Sequence, residues 1–163
     1  MSSFDKQFSW QAGYIGQVVR LIAPYLITVS RPEVDKNENG DLELAFPRNG
    51  TVSVRLRTEK YAKYAGEVTF RSQSRYGGKT EITKIIEGHG DYFFYGHVSH
   101  GEVIWYWHLL DLNEVRARFA RNNSILRRPQ KPNGDGTYFI PFNVQADFPN
   151  AVIAHHDSRR VAA

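Results

Sequence analysis

Phe8, Ala12, Ile15, Val19 and Ile22 recur at spacings of four, three, four and three. That spacing is one apolar face of an α-helix. It predicts a helix from Ser9 to Ile22, capped by Ser9 and ended near Pro24. Arg31 to Gly40 is polar and rich in turn residues, and reads as a loop. Asp41 to Phe46 and Thr51 to Thr58 then alternate strictly, with Leu42, Leu44, Phe46, Val52, Val54 and Leu56 as the apolar set. Placing both sets on one side predicts a hairpin through Arg48-Asn49-Gly50, with Glu43 opposite Arg55 and Asp41 opposite Arg57.

Glu67 to Ser74 reads as a third strand, with Val68 and Phe70 on one side and Thr69 and Arg71 on the other. Thr80 caps a short helix whose buried stripe is Ile82, Ile85 and Ile86, and Gly88 stops it. Asp91 to His97 and Val103 to Leu109 are aromatic-rich strands, the second with large side chains on both faces, as in a central or doubly covered strand. Asp111 opens a helix that turns Leu112, Val115 and Phe119 inward, and Gly134-Asp135-Gly136 leads into a last strand, Tyr138 to Val144. The order is helix, three-strand meander, helix, two strands, helix, strand. The expected fold class is α/β, of the α+β kind: a central mixed sheet flanked by helices.

Length and composition narrow the class. The 163 residues predict one domain over 1–150 and a polar, flexible C-terminal tail over 151–163, where His155, His156 and Asp157 lie. With 41% hydrophobic and 23% charged residues the chain is globular rather than disordered. It has no cysteine, which excludes disulfides, thiolate metal sites and cysteine nucleophiles. No apolar run approaches the roughly 18 residues of a membrane span, and the N-terminus lacks the pattern of a signal peptide. A cytoplasmic protein without membrane contact is expected.

The net charge of +4 is modest. Its distribution says more. Arg116, Arg118, Arg121, Arg127, Arg128 and Lys131 occur between Val115 and Pro132 without an acidic residue. This run is either a solvated face or a surface for nucleic-acid phosphates. Arg71, Arg75, Lys79 and Lys84 around Gly77-Gly78 form a second cationic group, read as a polar turn or as a phosphate seat, without Walker spacing. His97-x-x-His100 lacks a third partner and is a weak metal motif. The aromatic strands offer either a core or a stacking surface, with one surplus face available for a homodimer contact.

Asp41 after Gly40 on a first hairpin strand, followed by Val54-Arg55-Leu56-Arg57-Thr58 on the next, resembles the core of the PD-(D/E)XK, or restriction-endonuclease-like, superfamily over roughly Phe8 to Phe119. The later blocks Phe70-Arg71-Ser72, Gly78 to Ile85 and Gly90 to Gly96 are similar to small phage and prophage proteins. The resemblance implies a nuclease-like fold in which Asp41 takes the first-acid position and Arg55 and Arg57 stand where the second acid and the lysine belong. It thus implies a degenerate member, because a magnesium site needs carboxylate oxygens and guanidinium neither ligates nor gives up its proton. A Mg²⁺ or Mn²⁺ ion requires a shifted site of Asp41, Glu43 and Glu67. The expected function is nucleic-acid binding by Arg71, Arg75, Lys79, Arg116, Arg121, Arg127, Arg128 and Lys131, without strong Mg²⁺-dependent cleavage. The alternative is a non-catalytic factor that binds a host protein through its aromatic and basic faces.

Overall fold

Two helices open the chain, α1 (Ser3–Ala12) and α2 (Ile15–Leu26), where one is expected. The break falls at Gly13 and Tyr14, glycine being the poorest helix former after proline. The break also rotates the buried face. Tyr14, Val18 and Ile22 are buried, while Ile15 and Val19 are 43% and 55% exposed. Helix α2 runs past Ile22 with Pro24 in its last turn. The computed structural model describes residues 3–29, 42–44 and 50–160, in two compact units, 1–51 and 52–163.

Among the described residues the expected hairpin is not formed, and its turn at Arg48-Asn49 lies outside them. Strand β2 (Leu42–Leu44) pairs antiparallel with β1 (Ile27–Val29), which aligns Glu43 with Thr28. Strand β3 (Val52–Arg57) pairs parallel with β5 (Tyr92–Val98), which aligns Arg55 with Tyr95 and Arg57 with His97. Leu56 is buried as the alternation within β3 predicts, but alternation does not name the partner strand. Beside β5 the Val52, Val54 and Leu56 set joins Phe94 and Gly96 in a larger sheet, which a two-stranded ribbon cannot match. Of that set, Leu56 is buried and Val52 and Val54 are half-buried.

The second unit is mixed α/β. Its four-stranded sheet has the order β3-β5-β6-β9, with β6 (Ile104–Asp111) antiparallel to β5 and to β9 (Val152–Asp157). The central position expected for β6 is the one observed. The three-stranded sheet is antiparallel, in the order β4-β8-β7, from Glu67–Gln73, Tyr138–Asn143 and Lys131–Pro132. Strand β4 therefore leaves the expected meander and pairs with β8. Residues 152–157, expected in a flexible tail, form β9, because β6 offers an open edge for them to pair with.

A phenylalanine core joins the two sheets. Phe70 of β4 lies 5.1 Å from Phe93 of β5, 5.8 Å from Phe142 of β8 and 6.3 Å from Phe148, centroid to centroid. Helix α3 (Glu81–Ile86) adds Ile82 and Ile85, and α4 (Leu112–Arg121) adds Leu112, Val115 and Phe119. Both helices are capped as expected: Thr80 Oγ1 accepts from the Thr83 amide at 3.1 Å, and Asp111 Oδ1 from the Asn113 amide at 2.7 Å. Ile86, expected in the stripe, is 53% exposed, because α3 ends there and Gly88 turns the chain at φ +93°. The short α5 (Val144–Asp147) follows β8. Among the described residues no helix is long and apolar enough to cross a membrane.

Candidate nucleic-acid interface

Period-two alternation gives the three-stranded sheet two distinct faces. Val68, Phe70, Ile140 and Phe142 enter the core. Glu67, Thr69, Phe139 and Pro141, which alternate with them, line a cleft of about 180 Å³. Its opposite wall is the polar end of the four-stranded sheet, where Arg57, Tyr95 and His97 stand, and its rim carries Tyr61, Tyr64 and Lys131.

The wall is ordered by hydrogen bonds. Arg57 donates from Nε to the Tyr95 hydroxyl at 2.8 Å and from Nη2 to Thr69 Oγ1 at 2.6 Å. The two hydroxyls are themselves 3.3 Å apart. These contacts tie β3, β4 and β5 together and fix the guanidinium, which also lies 5.3 Å from the Tyr61 ring centroid. Charge-assisted bonds of this kind are stronger than neutral ones.

The rim comes from a 3₁₀ helix, Glu59–Tyr64. A 3₁₀ turn stacks residues three apart, which sets Tyr61 and Tyr64 on one edge. Lys60 Nζ stands 4.9 Å from the Tyr61 ring centroid, and Lys63 and Lys131 stand 5.0 and 5.9 Å from that of Tyr64. Lys131 and the two tyrosines line the cleft, and Lys60 and Lys63 stand over the tyrosine rings beside it. Tyr61 and Tyr64 were passed over in the sequence, although Lys60-Tyr61-Ala62-Lys63-Tyr64 carries the signal as two Lys-Tyr steps at a spacing of three.

His97 is the most enclosed member. It is 1% exposed, and neither ring nitrogen has a hydrogen-bond partner. Burial, with the charges of Arg57 and Arg159 adding to it, lowers its pKa from 6.5 to about 4. The ring is therefore neutral at pH 7. His108 on β6 is similar: burial first, then His155 and His97, lower its pKa to about 4. Its Nε2 pairs with the Tyr106 hydroxyl at 2.7 Å.

Of the expected site residues, the structure brings Arg57, Glu67 and Lys131 together at this cleft. Arg55 is instead paired with Glu81, whose other oxygen accepts the Arg71 amide at 2.8 Å. Asp41 lies outside the described residues, and Glu43 is described only by its backbone place in β2. Among the described residues no three His, Asp or Glu side chains are grouped to hold a metal.

The other expected cations are dispersed. Arg128 grips Asp147 through both terminal nitrogens at 2.6 Å each. Arg116 donates to the carbonyls of Ile85 at 2.7 Å and His89 at 3.0 Å and to that of Gly90, and so closes the end of α3. Lys79 pairs with Glu87 at 2.8 Å, Arg121 approaches Glu114 at 4.0 Å, and Arg75 lies over Tyr76. Arg127 is exposed at the end of a 3₁₀ turn. No protein-family model, curated protein or solved structure matches the chain.

Proposed function

We propose that this chain binds single-stranded nucleic acid at the cleft, without cutting it. The observation that carries the reading is the pairing of cations with rings at and beside the cleft, Lys60 with Tyr61 and Lys63 and Lys131 with Tyr64. Bases stack on tyrosine faces whatever their identity, and lysines meet the phosphates between them. No cleavage is expected, because Arg55 is held by Glu81 and Arg57 by Tyr95 and Thr69, so each acts as a fixed cation rather than as a ligand or base. A nuclease-like ancestry belongs to the same proposal and rests on the Val54–Thr58 segment, and a phage or prophage origin rests on the blocks Phe70–Ser72, Gly78–Ile85 and Gly90–Gly96.

Fluorescence anisotropy of a labelled single-stranded oligonucleotide, at low and at physiological salt, tests it. Binding should weaken as salt rises. Tyr61→Ala and Tyr64→Ala should each weaken it by about 1–3 kcal/mol, and Lys131→Gln should flatten the salt slope. If the wild-type chain binds nothing at low salt, this reading gives way to that of a protein-interaction factor.

A further inference from the structure

Among the described residues of the cleft, Phe139 is the ring that no cation or second ring covers. Tyr61 is met by Arg57 and Lys60, Tyr64 by Lys63 and Lys131, and Tyr95 by Phe93 and His97. Phe139 is half-buried and lines the opening.

The sheet register sets a cation on each side of this ring. Phe139 of β8 is aligned with Arg71 of β4 and with Lys131 of β7. Residues directly opposite in an antiparallel ladder share a face, with Cβ atoms about 4.5–5.5 Å apart. Arg71, Phe139 and Lys131 therefore form one row across the sheet. Among the described residues neither cation is in an ion pair. The carboxylates near Arg71 are already taken. Glu81 is held by Arg55 and the Arg71 amide, and Asp135 accepts from the Thr137 hydroxyl at 2.6 Å and amide at 3.0 Å. Glu67 stands two rows away on the same face, beyond Thr69 and Pro141.

A bare ring between two unpaired cations matches a base with a phosphate on either side. An apolar peptide would cover the ring and leave both charges unanswered. We propose that Phe139 is a third stacking platform, with Arg71 and Lys131 taking the phosphates that flank its base, so that the strand crosses β4, β8 and β7. This platform extends the single-strand reading from the rim tyrosines onto the sheet, and rests on it. The Glu67 carboxylate repels a phosphate path along β4, which leaves the row of Arg71, Phe139 and Lys131 as the route. With a base each on Tyr61, Tyr64 and Phe139, the site spans at least three nucleotides.

The test combines anisotropy of labelled oligothymidylates with photo-cross-linking by 5-iodouracil, whose adduct marks the ring it stacks on. The wild-type chain should give an adduct at Phe139. Phe139→Leu keeps an apolar side chain without a π face, and should weaken binding about tenfold or more. Phe139→Tyr should bind as the wild type does, and Arg71→Gln should reduce the salt slope by about one. If Phe139→Leu binds like wild type, or the wild type gives no Phe139 adduct, the platform is overturned. Weaker binding by Tyr61→Ala and Tyr64→Ala would then leave the rim site standing. Equal losses in Phe139→Tyr and Phe139→Leu would mark a packing role and overturn it too. The wild-type cross-link decides alone should Phe139→Leu fail to fold. If the wild type binds no oligothymidylate at low salt, the platform and the single-strand reading fall together.

Discussion

Arg128 and Asp147 form a two-pronged ion pair, with each terminal guanidinium nitrogen 2.6 Å from a carboxylate oxygen. Asp147 is 4% exposed and also accepts the Asn143 amide at 2.9 Å. Removing the carboxylate leaves that amide and the guanidinium without their acceptor. Asp147→Ala should therefore destabilise the chain by about 3 kcal/mol. Arg128→Gln should cost more, about 3–5 kcal/mol, because it leaves the buried Asp147 carboxylate without its counter-charge, whereas Asp147→Ala leaves a guanidinium that water reaches. Urea unfolding followed by circular dichroism reads both, and equal effects would contradict the difference in burial.

The cations of the basic run should separate by role. Arg127 and Lys131 are exposed, so Arg127→Gln with Lys131→Gln should lower oligonucleotide affinity while the unfolding midpoint stays put. Arg116→Gln should do the reverse. It frees the carbonyls of Ile85, His89 and Gly90 that Arg116 gathers, at a cost of about 1–3 kcal/mol. Paired anisotropy and unfolding measurements distinguish the two patterns.

Acid should loosen the fold through two imidazoles. Both His97 and His108 are held neutral, with pKa values lowered from 6.5 to about 4. Between those values the unfolded chain binds protons that the folded chain does not, so stability is present above pH 6.5 and falls as the pH drops towards 4. Each ring accounts for a loss of about 3 kcal/mol across that window. Urea midpoints measured from neutral to acid pH should decline, and His97→Phe should make the decline shallower. A slope unchanged by His97→Phe and by His108→Phe would count against burial as the cause.

Gly96 is a packing requirement. A Cβ there would stand 2.9 Å from the Phe94 ring, 3.0 Å from Leu56 and 3.2 Å from Ile104. Phe94 and Leu56 are at most 1% exposed and have no room to withdraw. Gly96→Ala should destabilise by about 1–3 kcal/mol through overpacking. A midpoint equal to wild type would show that this side of the sheet is looser than the distances indicate.

Local signals were read well in the second unit. The caps at Thr80 and Asp111, the aromatic hairpin, and the burial of Leu112, Val115 and Phe119 all follow from short-range periodicity and turn chemistry, and all are present. Pairing was not legible. Val52 to Arg57 alternates equally well beside a hairpin partner or beside Tyr92–Val98, and only burial over the whole sheet decides. For the same reason Arg57 was foreseen beside Asp41 rather than beside His97. The cleft joins residues from Arg57 to Pro141, so no window of sequence contains it. Arg57, Glu67 and Lys131 were each singled out for a different purpose before the fold brought them together.

The last strand changes what a shortened chain would be. β9 covers the edge of β6 from Tyr106 to Leu110, beside Trp107 and Leu109, which are 2% and 0% exposed. Ending the chain at residue 150, where a tail was expected to begin, would uncover that row of backbone donors and acceptors next to some of the most apolar side chains of the sheet. A bare edge of this kind recruits another strand, from a second copy or from a growing aggregate. Residues 152–157 thus occupy that edge, and a truncation made to tidy the C-terminus would open it to pairing with other chains.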